Sequence, residues 1–187
     1  MKQSEILQPE AHQGKGKCGI NRREFLLYSG TAVAATTVML NIPGTAQAQE
    51  ARLAQYPKKL IGKLSQLKQD EPVYFNYPDD GLNAGAMLIR LGEKAGGGLS
   101  KKQDIVAFSS YCTHQGGALA GTYNKQYKTM GQCPLHLTTY DLTRYGIVVS
   151  GQAYQSLPQV VLELDGDDIY AVGVMGLLFG RNDNLIG

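Results

Sequence analysis

Two short segments, each carrying one cysteine and one histidine, constrain this chain more than anything else in it. The first, Ser110-Tyr111-Cys112-Thr113-His114-Gln115-Gly116-Gly117, holds C-x-H. The second, Gln132-Cys133-Pro134-Leu135-His136-Leu137-Thr138, holds C-x-x-H after eighteen intervening residues. For the four side chains to act together, the fold must bring the two segments side by side as adjacent loops. The chain's one other cysteine and one other histidine are Cys18 and His12, near the N-terminus.

Thiols and imidazoles at these spacings admit several readings. A structural zinc site uses a similar ligand set, although isolated C-x-H with C-x-x-H is not a common finger spacing. A disulfide between Cys112 and Cys133 suits an exported protein but leaves the two histidines at fixed offsets unexplained. Unrelated structural histidines would account for either one alone, not for both beside a cysteine. A 2Fe-2S cluster with two thiolates on one iron and two neutral imidazoles on the other needs one cysteine and one histidine from each of two loops, and each loop supplies one of each. Imidazole donates less charge than thiolate, so such a cluster is easier to reduce. Its potential lies at roughly −150 to +300 mV, against about −400 mV for an all-cysteine plant-type cluster.

The rest of the chain favours a β scaffold for these loops. Its 187 residues, 43% hydrophobic, suffice for one packed domain and an N-terminal extension. Glycine is abundant at 23, and tyrosine at 11 outnumbers phenylalanine at 4, which suits a turn-rich β protein. Short β-rich runs fall at 73–77, 86–91, 105–108, 127–130, 138–141, 147–150, 160–164 and 169–174, with turn signals such as Asp165-Gly166-Asp167-Asp168 between them. Apart from the N-terminal extension, helical period is confined to a possible turn at 97–103. The pattern predicts an antiparallel sandwich or partly open barrel. Net charge is only +2 and no Lys/Arg-rich tract stands out, which argues against a nucleic-acid partner.

The N-terminal segment reads as a targeting signal. Asn21-Arg22-Arg23-Glu24-Phe25-Leu26 leads into an apolar stretch from Leu27 to Leu40 and then to Ala46-Gln47-Ala48, a small-x-small cleavage pattern. This resembles a twin-arginine signal over residues 1–48, with the mature domain at 49–187 and a periplasmic destination. The apolar stretch is shorter than the about 20 residues a span needs and is diluted by hydroxyls, so membrane association is expected only if the signal is retained. Twin-arginine export carries folded proteins, so the segment argues for a cofactor independently of the cysteines. Cleavage would remove Cys18 and His12 and leave equal numbers of acidic and basic side chains.

Cys-Thr-His-Gln-Gly and Cys-Pro-x-His resemble the cluster loops of the Rieske superfamily, and the chain from the arginine pair onward resembles the small subunits of arsenite oxidases. Gln55-Tyr56-Pro57, Glu71 to Asp79, Asp104 to Phe108, Ala171 to Val174 and Gly176 to Arg181 carry that likeness. Iodate reductase small subunits share the plan. The resemblance implies an all-β, Rieske-type fold with a small cluster-binding subdomain. It also implies a 2Fe-2S cluster on Cys112, His114, Cys133 and His136, with the histidine-ligated iron nearer the surface.

The implied role is an electron relay between a large molybdenum-containing catalytic subunit and a cytochrome c or small copper protein. Arsenite oxidase is the first expectation, iodate reductase the alternative, and the Rieske subunit of a quinol:cytochrome c complex a lower one. An aromatic-ring dioxygenase ferredoxin would be cytoplasmic, against the export signal. No turnover is expected from this chain alone, which has no second cofactor motif.

Two departures and two further residues sharpen the resemblance. Many relatives brace the cluster loops with a disulfide at the positions of Gly117 and Leu135, and here that brace is absent. The segment between His114 and Cys133 is slightly longer than usual. Thr138 matches a hydroxyl that donates to a bridging sulfide in high-potential relatives, and Tyr140 matches a tyrosine that donates to a cysteine sulfur. Both donors would stabilise the more negative reduced cluster. Leu135, Leu137 and the Ala118-Leu119 pair are expected to shield the cluster from water.

Overall fold

The computed structural model describes residues 55–184. The signal assigned to 1–48, with Cys18 and His12, lies outside the described residues. Ten strands form two antiparallel sheets. Strands β1 (Lys59–Lys63), β2 (Val73–Asn76), β3 (Gly85–Arg90), β4 (Ile105–Ser109), β9 (Gln159–Asp165) and β10 (Asp168–Met175) build a six-stranded base in the order β1-β10-β9-β4-β3-β2. Strands β5 (Tyr123–Asn124), β6 (Thr129–Met130), β7 (Thr139–Asp141) and β8 (Ile147–Ser150) build a smaller sheet in the order β5-β6-β7-β8.

The apolar runs of β3 and β4 are buried because both faces of these central strands are covered. Successive side chains alternate between the faces. Ala86, Leu88, Ile105 and Ala107 pack with Val160, Ile169 and Ala171 on one side. Met87, Ile89, Val106 and Phe108 pack on the other with Cys112, Leu119, Met130, Cys133, Tyr140 and Leu142. The second core therefore joins the base sheet to both cysteine-bearing loops.

All eight expected runs contain a strand, although the one at 127–130 shrinks to Thr129–Met130. Two strands were not legible. Lys59-Leu60-Ile61-Gly62-Lys63 carries a central glycine and a register shift at Leu60/Gly62, and pairing with the edge of β10 makes it a strand. Strand β5 is two residues long and is defined by its pairing to β6. The expected helical turn at 97–103 is a series of turns with a Leu99–Ile105 bridge. A single 3-10 turn, Leu64–Gln66, is the only helical piece among the described residues.

Two polar clasps fix the loops. Asp70 accepts hydrogen bonds from Tyr123 and from Lys128 at 2.7 and 2.9 Å, tying the β5–β6 hairpin to the base. Burial pushes the Asp70 carboxyl up, but Lys128 and Tyr123 outweigh it and hold it below the ordinary value. Asp79 takes a bidentate contact from Arg181 at 2.7 and 2.8 Å, and Arg181 also donates to the Leu82 carbonyl. This clasp secures the segment carrying Phe179, whose ring lies over Gly116 in the first cysteine loop; a Cβ added at Gly116 would fall 2.3 Å from it.

The Arg181 hydrogen bonds hold Asp79 down at about 2 against an opposing effect of burial. A depressed carboxylate stabilises the fold fully above its unfolded value and loses that contribution as pH falls through its folded value. We therefore expect about 1 to 2 kcal/mol of stability to disappear between about pH 4 and pH 2. Asp79→Asn should lack this component when unfolding free energy is followed against pH.

Candidate metal centre

The two cysteine loops close in the same way. In the first, the Cys112 N–H donates to the Gly117 carbonyl and the Gly116 N–H donates back to the Cys112 carbonyl, both at 2.9 Å. In the second, the Cys133 N–H donates to the Thr138 carbonyl and the Leu137 N–H to the Cys133 carbonyl, again at 2.9 Å. Each loop thus wraps one turn around its cysteine and needs a left-handed residue four positions on. Gly116 fills that place at φ +69° without strain, and Leu137 fills it at φ +60°.

The loops bring the four side chains singled out in the sequence together as two pairs, cysteine with cysteine and histidine with histidine. Cys112 and Cys133 are 1% exposed, and both are free thiols. His114 and His136 are half-buried, with ring centroids 4.6 Å apart at an interplanar angle of 77°. The Nδ1 atoms of both histidines are buried without a hydrogen-bond partner. Buried ring nitrogens are normally paired, so two orphans beside two buried thiols are the donor set that an iron–sulfur cluster with mixed ligands requires. Among the described residues, no three His, Cys, Asp or Glu side chains converge on one ion. A two-iron cluster needs only two protein ligands per iron.

Hydroxyl groups crowd the Cys112 sulfur. Tyr140, in β7 and fully buried, has its hydroxyl 3.2 Å from Cys112 Sγ and accepts the Thr113 N–H at 3.0 Å. Burial, reinforced by the contact with Cys112, pushes the Tyr140 hydroxyl far above the ordinary phenol range, so it stays protonated and serves as a donor. Thr138 is also fully buried, and its Oγ1 accepts the Gln152 N–H at 3.2 Å, leaving its proton to give. Burial works to raise the Cys112 thiol, but hydrogen bonds from Tyr140, the His114 N–H, Cys133 and Thr138 outweigh it and hold the thiol below its ordinary value. A thiolate is thereby favoured where a metal would need one.

Two features were not read from the sequence. Thr113, the residue inside C-x-H, joins the Tyr140 hydroxyl network through both its N–H and its Oγ1; only its hydroxyl hinted at this. Gly117, noted for the missing brace, is a packing requirement, because a Cβ there would lie 2.6 Å from Cys133 Sγ and 3.1 Å from Leu135 Cγ. Leu135 packs directly against the first loop at Gly117.

The expected shield needs correction. Leu119 is buried, but Leu135 and Leu137 are 52% and 59% exposed, and Ala118 is exposed too. Both leucines sit at the tip of the second loop, beyond the reach of the core. They flank the imidazoles, and the segments 105–124, 129–140 and 145–162 contain no Asp, Glu, Lys or Arg. The segments around the site are therefore uncharged, with exposed glutamines at Gln115 and Gln132 beside the leucines.

Comparison with known proteins agrees with this geometry. The Rieske [2Fe-2S] domain family matches residues 59–161. The chain is 52% identical over 169 residues to the iodate reductase subunit IdrB of Pseudomonas sp. (strain SCT), covering 90% of this chain and 86% of that protein. It is 51% identical over 178 residues to the subunit of the same name in Denitromonas iodatirespirans, covering 95% and 92%. The soluble domain of Rieske protein II (soxF) from Sulfolobus acidocaldarius superposes with a TM-score of 0.60 at 25% identity, over 72% of this chain and 86% of that one. The chain belongs to the Rieske [2Fe-2S] family, and its cofactor is a Rieske-type 2Fe-2S cluster.

Proposed function

We propose that this chain is the electron-transfer subunit of a periplasmic molybdenum oxidoreductase, an iodate reductase first and an arsenite oxidase second. In this reading Cys112 and Cys133 supply thiolates to one iron, and His114 and His136 supply Nδ1 to the other. The two buried, unpartnered Nδ1 atoms beside the buried thiols carry the assignment. When bound, the cluster supplies reversible one-electron transfer. The half-buried imidazoles offer the electron a path to the surface, and the uncharged rim leaves that path open to a partner.

The ranking of iodate over arsenite reverses the order expected from sequence motifs. It is supported by two relatives at 52% and 51% identity that are iodate reductase subunits. A large catalytic subunit would carry the substrate chemistry, and a cytochrome c or small copper protein would deliver the electrons. The twin-arginine segment at 1–48 supports export of the loaded domain, 49–187. The absent brace at Gly117 and Leu135 argues against a quinol:cytochrome c complex.

Tyr140 and Thr138 act as tuning donors in this reading, drawing the potential toward the upper part of the Rieske range. Tyr140→Phe should lower the midpoint potential, as measured by redox titration of the loaded chain; an unmoved potential removes Tyr140 as a donor.

The functional test is co-expression with the large catalytic subunit of an iodate reductase. The complex should reduce iodate from a reduced dye, and the loaded chain alone should turn over neither iodate nor arsenite. Turnover by the isolated chain overturns the subunit role, and a complex that oxidises arsenite but leaves iodate untouched makes arsenite the substrate.

A further inference from the structure

We propose that Thr113 is a positioning residue that competes with the Cys112 sulfur for the single proton of Tyr140. The inference rests on the proposed role of Tyr140 as a sulfur donor. Four contacts carry it. The Tyr140 hydroxyl accepts the Thr113 N–H at 3.0 Å and has one proton of its own to give. Two acceptors lie within reach of that proton, Cys112 Sγ at 3.2 Å and Thr113 Oγ1 at 3.0 Å.

The Thr113 hydroxyl could in principle donate to Tyr140 instead. Its proton is already committed, because Thr113 Oγ1 donates to the Gln155 carbonyl at 2.9 Å and a carbonyl can only accept. Thr113 therefore turns a lone pair toward Tyr140. The Tyr140 proton is shared between sulfur and Thr113, and the sulfur receives less than a full hydrogen bond.

Gln155 sits in an exposed loop beside Tyr154, which is 100% exposed. Without the Thr113 hydroxyl, Cys112 Sγ is the one remaining acceptor within reach of Tyr140. The Tyr140 proton then goes wholly to sulfur, and the reduced cluster becomes easier to form. Loss of a hydrogen-bonding group at position 113 thus raises the potential, opposite to the effect of losing the Tyr140 hydroxyl.

Redox titration of the full, cluster-loaded chain with EPR readout tests this. Thr113→Val should raise the midpoint potential, Thr113→Ser should restore the wild-type value, and Tyr140→Phe should lower it. The Tyr140→Phe/Thr113→Val double variant should match Tyr140→Phe alone, since no shared proton remains. An unmoved or lowered potential in Thr113→Val, or additive shifts in the double variant, overturns the proposal while leaving Tyr140 as a donor. An unmoved potential in Tyr140→Phe removes the donor itself and this proposal with it.

Should Thr113→Val fail to load, proton ENDOR of the reduced wild-type cluster decides the matter. Two populations of the exchangeable Tyr140 proton support sharing, and one population fixed on Cys112 Sγ overturns it.

Discussion

Replacing His136 by alanine will give a chain that folds its base sheet but holds no reducible 2Fe-2S centre. The expectation follows from the chemistry of the site. His136 Nδ1 is buried and unpartnered, and no other described side chain has a free imidazole to replace it, His114 being its counterpart in the first loop. An iron left with one protein ligand has an open position in a site whose thiols sit within the hydrophobic core. His114→Ala should behave in the same way. Because metal binding is coupled to folding in small metal domains, both variants should also unfold at lower temperature than the loaded wild type. Iron and acid-labile sulfide analysis with visible spectroscopy checks the prediction, and full iron content in either variant would mean that the histidines are structural.

A methyl group added at Gly131 should be nearly as damaging without touching a ligand. Gly131 follows β6 and opens the second cysteine loop at φ +117°, a conformation that side chains rarely adopt. Its Cβ would fall 2.4 Å from the Thr138 carbonyl oxygen and 2.9 Å from Thr139 Cα, both backbone atoms that cannot swing aside. That carbonyl is the acceptor for the Cys133 N–H. Gly131→Ala therefore combines backbone strain, overpacking and a lost loop-closing hydrogen bond. Together these cost about 3 kcal/mol or more. Cluster content should collapse. Gly121→Ala is the control, since Gly121 also has positive φ (+79°) but a Cβ there meets nothing within 4 Å. It should cost about 1 kcal/mol and load normally.

The local features of this molecule were legible, and the long-range ones were not. Cys112, His114, Cys133 and His136 declare themselves because two loops with fixed offsets repeat the same chemistry, and the fold does bring them together as two pairs. Runs such as Ile105-Val106-Ala107-Phe108 announce a buried strand through composition alone. Strand β1 does not, because its register comes from β10, about a hundred residues away. Leu135 and Leu137 look like core residues in sequence, yet a loop tip at φ +60° leaves Leu137 in solvent. Thr113 gains its role from Tyr140 and from the Gln155 carbonyl, and backbone carbonyls leave no mark in a sequence. The contact of Phe179 with Gly116 likewise depends on where the Asp79–Arg181 clasp holds the C-terminal segment.

In the proposed assignment these two loops hold the Rieske cluster through two thiols and two imidazoles. The most direct test is low-temperature EPR of the reduced full-length chain, combined with metal analysis of the same sample. Two irons per chain and a rhombic signal with an average g value below that of all-cysteine clusters are expected. An EPR-silent protein holding a single zinc would contradict it.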